Sequence, residues 1–136
     1  MKPIRTDKAP AAIGPYSQAI HEGRMLFTSG QLPMDPVTGE LCNRDIATAA
    51  RRAILNLQAV LEAGGADLGT VVKTTVFLKD MRDFQAFNQV YGEFFREPFP
   101  ARSCVQVAAL PKDALVEIEA VAVRKEGYAI QAQPPC

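Results

Sequence analysis

The segment Val116-Glu-Ile-Glu-Ala-Val-Ala-Val123 constrains this chain more than any other. Side chains alternate across a strand, so Val116, Ile118, Ala120 and Ala122 form one small apolar face suited to lie under helices. The opposite face carries Glu117, Glu119, Val121 and Val123. Two carboxylates beside two valines do not suit a solvated sheet face, which is polar throughout. They do not suit a dry one either, because an unpaired buried carboxylate is costly. An interface or a partly shielded pocket accommodates all four residues.

The remaining pattern supplies partners for this strand. Two apolar runs, Tyr16–His21 and Met25–Ser29, flank Glu22-Gly23-Arg24 and predict a hairpin. Asp35-Pro36-Val37-Thr38-Gly39 is a turn. From Asp45 the period becomes helical through Ile46, Ala50, Ala53, Ile54, Leu57, Val60 and Leu61. Asp45 is placed to cap that helix, and Gly64-Gly65 to end it in a left-handed conformation. Val71–Lys79, rich in Val, Thr and Phe, predicts a strand. A second helix is expected from about Asp83, ending before Pro98. Its stripe of Phe84, Phe87, Tyr91, Phe94 and Phe95 is most simply core. Arg102–Val107 and Leu115–Arg124 read as strands joined by a turn through Pro111-Lys112-Asp113. The order is β-hairpin, α, β, α, β, β, which predicts an α+β domain with a mixed sheet and two helices on one face.

Composition removes several functional classes. Fifteen basic residues balance fifteen acidic ones, and the only adjacent basic pairs are Arg51-Arg52 and Arg124-Lys125. No basic stripe is available to follow a phosphate backbone, so nucleic-acid binding is not expected. Cys42, Cys104 and Cys136 have no CxxC spacing and describe neither a disulfide framework nor a metal site. The glycines form no dinucleotide or Walker-type loop, and no cofactor is expected. The sole histidine, His21, reads as a solvated strand-end residue without triad partners. The N-terminus has no apolar signal region, and no apolar run reaches the roughly 18–20 residues that span a bilayer. A cytoplasmic protein is therefore expected.

If Arg102–Val107 and Leu115–Arg124 pair as a hairpin, Arg102 and Cys104 face the same space as Glu117. Two readings of Arg102 stay open. It forms an ordinary cross-strand ion pair, or its planar fork holds a substrate carboxylate in bidentate fashion.

Several blocks also stand in a familiar order: Ala9-Pro-Ala-Ala-Ile-Gly-Pro-Tyr-Ser-Gln18, Phe27-Thr-Ser-Gly-Gln31, Val72-Lys-Thr-Thr-Val-Phe77, Pro100-Ala-Arg-Ser-Cys-Val105 and Val116-Glu-Ile-Glu-Ala120. From about Ile4 to Arg124 the chain resembles the reactive-intermediate deaminase family, the RidA (YjgF) type. The resemblance implies a chorismate-mutase-like fold with a six-stranded sheet, assembled as a homotrimer around a central barrel. It implies a pocket at each subunit interface, mapping onto Tyr16, Ser29, Gly30, Asn88, Arg102, Cys104 and Glu117. The implied activity is hydrolysis of 2-iminobutanoate and 2-iminopropanoate, reactive products of pyridoxal-phosphate dehydratases, to 2-oxo acids and ammonia. Arg102 would fix the substrate carboxylate, and Glu117 would hold and polarise the attacking water or shuttle its proton to the departing nitrogen, both as catalytic residues. Tyr16 and Asn88 would shape the pocket, and the backbone around Ser29-Gly30 and Cys104 would bind the imine end. The competing readings are a non-catalytic module that binds 2-oxo acids, an endoribonuclease or translation inhibitor, and a chaperone-like protein. Residues 1–124 form the expected domain, and 125–136, ending Gln-Pro-Pro-Cys, a flexible extension past the family's usual end.

Overall fold

The computed structural model describes residues 1–125. Apart from Lys125, the expected C-terminal extension lies outside the described residues. Six strands form one sheet: β1 (Lys2–Ile4), β2 (Ala19–Glu22), β3 (Met25–Thr28), β4 (Val71–Leu78), β5 (Ala101–Gln106) and β6 (Val116–Val123). Their spatial order is β1-β2-β3-β6-β4-β5. All pairings are antiparallel except β4 with β5, so the sheet is mixed. Helices α1 (Ile46–Ala63) and α2 (Phe84–Phe94) pack on the same face.

Local chemistry explains the element ends. Gly23 takes φ 59° in the two-residue turn of the β2–β3 hairpin, where an L side chain would be strained. Asp45 caps α1 by accepting from Thr48 N at 2.8 Å. At the other end Gly65 supplies the left-handed residue (φ 86°), while Gly64 stays at φ −94°. Asp35 Oδ1 accepts from Val37 N and Thr38 N, closing the anticipated turn. No helix among the described residues is long and apolar enough to cross a membrane.

The core lies between the helices and one side of the sheet. Leu26, Val76, Leu78, Val116, Ile118 and Ala122 point into it and meet Ile54, Leu57, Leu61 and Phe87. Along β6 buried and half-buried residues alternate strictly, as the sequence pattern requires. Among the described residues nothing covers the other sheet face. Phe27 is 42% exposed there and Val105 43%, beside half-buried Phe77, Val121 and Val123.

Two expectations fail here. β5 and β6 do not form a hairpin, because β4 lies between them, parallel to β5 and antiparallel to β6. The β4–α2–β5 crossover returns the chain to the outer side of β4, and the segment 107–115 then carries it across to the centre. His21 is not solvated. It is buried, with Nδ1 3.0 Å from Arg124 NH1, and Arg124 is itself only 2% exposed. Arg124 Nε also donates to Gly64 O at 2.8 Å, so this pair ties the β2–β3 hairpin to the end of α1.

Candidate functional site

The open end of the sheet holds a cavity of about 560 Å³, lined by Tyr16, Ser29, Gly30, Glu117 and Glu119 among others. Strand alternation in β6 aims Glu117 and Glu119 to the same side. The segment that follows β3 is fastened alongside: Gln31 N donates to Ile118 O at 2.7 Å and Ile118 N to Gln31 O at 3.1 Å. This bridge sets the Gly30 backbone directly against Glu117. A Cβ at position 30 would lie 2.6 Å from Glu117 Cδ and 2.9 Å from Cγ, so only glycine leaves the carboxylate its place. Ser29 Oγ donates to Ser17 O at 2.6 Å, which holds the loop bearing Tyr16 beside the cavity. On the far wall, buried Asn56 donates to Leu32 O (2.9 Å) and Met34 O (2.8 Å), anchoring both lining residues to α1.

Glu117 is half-buried, and burial pushes its carboxyl above the usual range, with the Glu119 charge adding to the effect. A carboxylate so placed is a better proton acceptor than a solvated one.

The other expected residues form a separate group. Arg102 is aligned with Thr74, and Thr74 with Ala120, so Arg102 projects to the helix-covered face. Glu117 is aligned with Phe77, and Phe77 with Val105, on the open face. The expectation that Arg102 and Cys104 share a space with Glu117 within one chain is therefore wrong. They are on opposite faces, because β5 pairs with β4 and not with β6. The helix-face group is nonetheless built. Arg102 NH1 donates to Asn88 Oδ1 at 2.8 Å, and the guanidinium carbon lies 4.7 Å from the Tyr91 ring centroid and 5.6 Å from that of Phe84. Tyr91 is fixed in turn by its hydroxyl, 2.8 Å from Thr74 Oγ1. Two rings and one amide hold the plane of the guanidinium at the sheet edge, a preorganised fork for a carboxylate. The aromatic stripe of α2 is thus core and arginine seat at once. Cys104 is half-buried beside Arg102, and burial pushes its thiol pKa up while Arg102 opposes the shift. Such a thiol is a poor nucleophile.

One chain therefore holds the expected residues in two separate groups. Tyr16, Ser29, Gly30 and Glu117 belong to the first, and Asn88, Arg102 and Cys104 to the second. Glu119, which the β6 pattern set beside Glu117 on a face calling for an interface or a shielded pocket, lines the cavity. Sequence reasoning missed Gln18, Gln31, Asn56 and Lys112, whose roles depend on loops that have no period.

Residues 6–124 match the family described as endoribonuclease L-PSP. A 2-iminobutanoate/2-iminopropanoate deaminase of Escherichia coli (strain K12) is 54% identical over 127 residues, covering 91% of this chain and 98% of that protein. The solved structure of the E. coli YjgF gene product is 52% identical with a TM-score of 0.87, covering 92% of this chain and 100% of that one. E. coli TdcF with bound serine is 49% identical at the same TM-score of 0.87, with 92% and 100% covered. With this identity, coverage and agreement of fold, the chain belongs to the endoribonuclease L-PSP family, among the RidA-type proteins that include the 2-iminobutanoate/2-iminopropanoate deaminases.

Proposed function

We propose that this protein hydrolyses short 2-imino acids, such as 2-iminobutanoate and 2-iminopropanoate, to 2-oxo acids and ammonia, in pockets completed by a neighbouring copy of the chain. The observation that carries the reading is the half-buried Glu117 carboxyl, its pKa raised by burial, in a cavity of about 560 Å³. The named activity of a relative 54% identical to this chain supports it.

The chemistry asks little of the protein. An imine carbon is already electrophilic, so the barrier to be lowered is small compared with that of an amide. Arg102 of one subunit takes the substrate carboxylate and converts a diffusing reactant into an oriented one. Glu117 of the next accepts a proton from the water that adds to C2. It passes that proton to nitrogen to give a carbinolamine, then takes the hydroxyl proton and delivers it to the amino nitrogen as C=O forms and the C–N bond breaks, releasing ammonia and leaving the 2-oxo acid. The backbone at Ser29-Gly30 and the Tyr16 ring enclose the imine end. No covalent enzyme intermediate is needed, in keeping with the unreactive environment of Cys104.

The uncovered sheet face supports assembly. Exposed Phe27 and Val105, with half-buried Phe77, Val121 and Val123, put apolar surface on a side of the sheet that no described element covers, as an interaction site would. A homotrimer that closes three such faces into a barrel covers it and brings the Glu117 cavity of one subunit beside the Arg102 group of another. The proposed setting is the cytoplasm, with the reactive products of pyridoxal-phosphate dehydratases as substrates. The endoribonuclease of the family's description fits less well, since Glu117 and Glu119 in the cavity repel a phosphodiester.

The test couples the purified protein to a threonine dehydratase while semicarbazide competes for the imine. The protein is expected to speed 2-oxobutanoate formation and suppress semicarbazone formation in proportion to its concentration. An unchanged partition between the two products would refute the reading.

A further inference from the structure

Gln18 stands out among buried polar side chains that the mechanism does not use. It is 4% exposed, and both the oxygen and the nitrogen of its amide are engaged. Oε1 accepts from Thr6 N at 2.7 Å. Nε2 donates to Thr6 O at 3.0 Å, to Pro10 O at 2.8 Å and, at the long limit of 3.4 Å, to Ala9 O. The Gln18 backbone carbonyl accepts from Ser29 N at 2.9 Å.

These bonds have a definite geometry. The contact with Pro10 joins the two ends of the loop 10–18, which carries Ala11, Ile13 and Tyr16 into the cavity wall. The contact with Ser29 joins that loop to the segment whose Gly30 backbone stands against Glu117. One side chain and its own carbonyl thus tie two parts of the pocket, the Tyr16 loop and the backing of the carboxylate, to the N-terminal segment at Thr6. The loop has no regular secondary structure between Pro10 and Gln18 to hold it otherwise. Its one internal backbone bond, Tyr16 N to Gly14 O at 2.8 Å, shapes the tip and does not fix it to the sheet.

We propose that Gln18 is the positioning residue of the pocket, setting Tyr16 and the Ser29-Gly30 backbone relative to Glu117. The inference rests on the deaminase reading for its consequence in rate, and on geometry alone for its consequence in loop order. Gln18→Met keeps the volume and removes every side-chain bond, while Gln18→Asn keeps the amide but cannot reach both Thr6 and Pro10.

Both variants and the wild type are compared by chymotryptic cleavage after Tyr16 well below the melting temperature, and by kcat and KM in the coupled assay. Cleavage is expected to quicken at least tenfold in both variants, with assembly and far-UV dichroism unchanged. A displacement of about 1 Å at a reacting group is enough to lower kcat/KM some 10- to 100-fold, and the loss is expected in kcat as well as KM. Wild-type cleavage and kinetics in either folded variant would overturn the proposal. Failure of both to fold would do so too, by assigning Gln18 to the fold alone. Absence of turnover in the wild type refutes the deaminase reading instead, and the cleavage rates then decide the positioning role on their own.

Discussion

Glu117 and Glu119 share a cavity wall, and their proximity gives a pH signature. Burial first, and the Glu119 charge second, raise the Glu117 carboxyl above its ordinary range. Acting as a base, Glu117 must be ionised, so kcat/KM rises with pH through that raised pKa. Neutralising Glu119 removes one of the two causes. The acid limb of the kcat/KM profile is expected to move to lower pH in Glu119→Gln, and a limb that stays in place would separate Glu119 from the site. Arg102 and Cys104 are neighbours on one strand with different tasks. Arg102→Ala loses a bidentate, ring-seated carboxylate contact and is expected to lower kcat/KM by about 10²–10³-fold. Cys104→Ala removes only pocket packing, with a loss of less than about tenfold. The opposite ranking in purified proteins would require a covalent mechanism.

At the scale of elements, most of the architecture was legible because it is periodic. The 3.6-residue repeat with Asp45 before it located α1, and the strict alternation of Val116–Val123 located β6 and its two faces. β1 was missed because three residues, one of them Pro3, are too few to show alternation. The pairing of β5 was misread for a different reason. Both of its faces mix polar and apolar residues, so period alone does not say which one is covered, and proximity in sequence then favours the wrong neighbour. Pattern pointed to Glu117, Arg102 and Cys104, the other four site residues were legible only through the resemblance, and the division of the seven into two groups only through the strand order. His21 escaped because its partner Arg124 lies 103 residues away. That pair makes the hairpin sensitive to acid. Burial and the Arg124 charge lower the His21 pKa below 6.5, so the unfolded chain binds the proton more tightly. The stabilising effect is full above pH 6.5 and is lost as pH falls through the lowered value. The melting temperature is expected to drop between pH 7 and pH 5, and to drop less in His21→Gln, whose amide still accepts from Arg124. Equal drops in the two proteins would assign the acid sensitivity to other groups.

The whole molecule poses one question: how groups on opposite faces of a sheet serve a single reaction. Register places Arg102 with Ala120 under the helices and Glu117 with Phe77 on the open face. In the proposed trimer neighbouring chains cover the open face, and the cyclic arrangement lets each chain present Glu117 to one neighbour and Arg102 to the other. Sharing of this kind is directly measurable by mixing two inactive proteins. Arg102→Ala chains retain Glu117, and Glu117→Gln chains retain Arg102. After joint unfolding and refolding in equal amounts, random assembly of a cyclic trimer gives intact sites at about one quarter of the interfaces. The account predicts recovery of about a quarter of wild-type imine hydrolysis from two parents that each have almost none. Activity that stays at the level of the parents in a mixture shown to contain mixed trimers would contradict it.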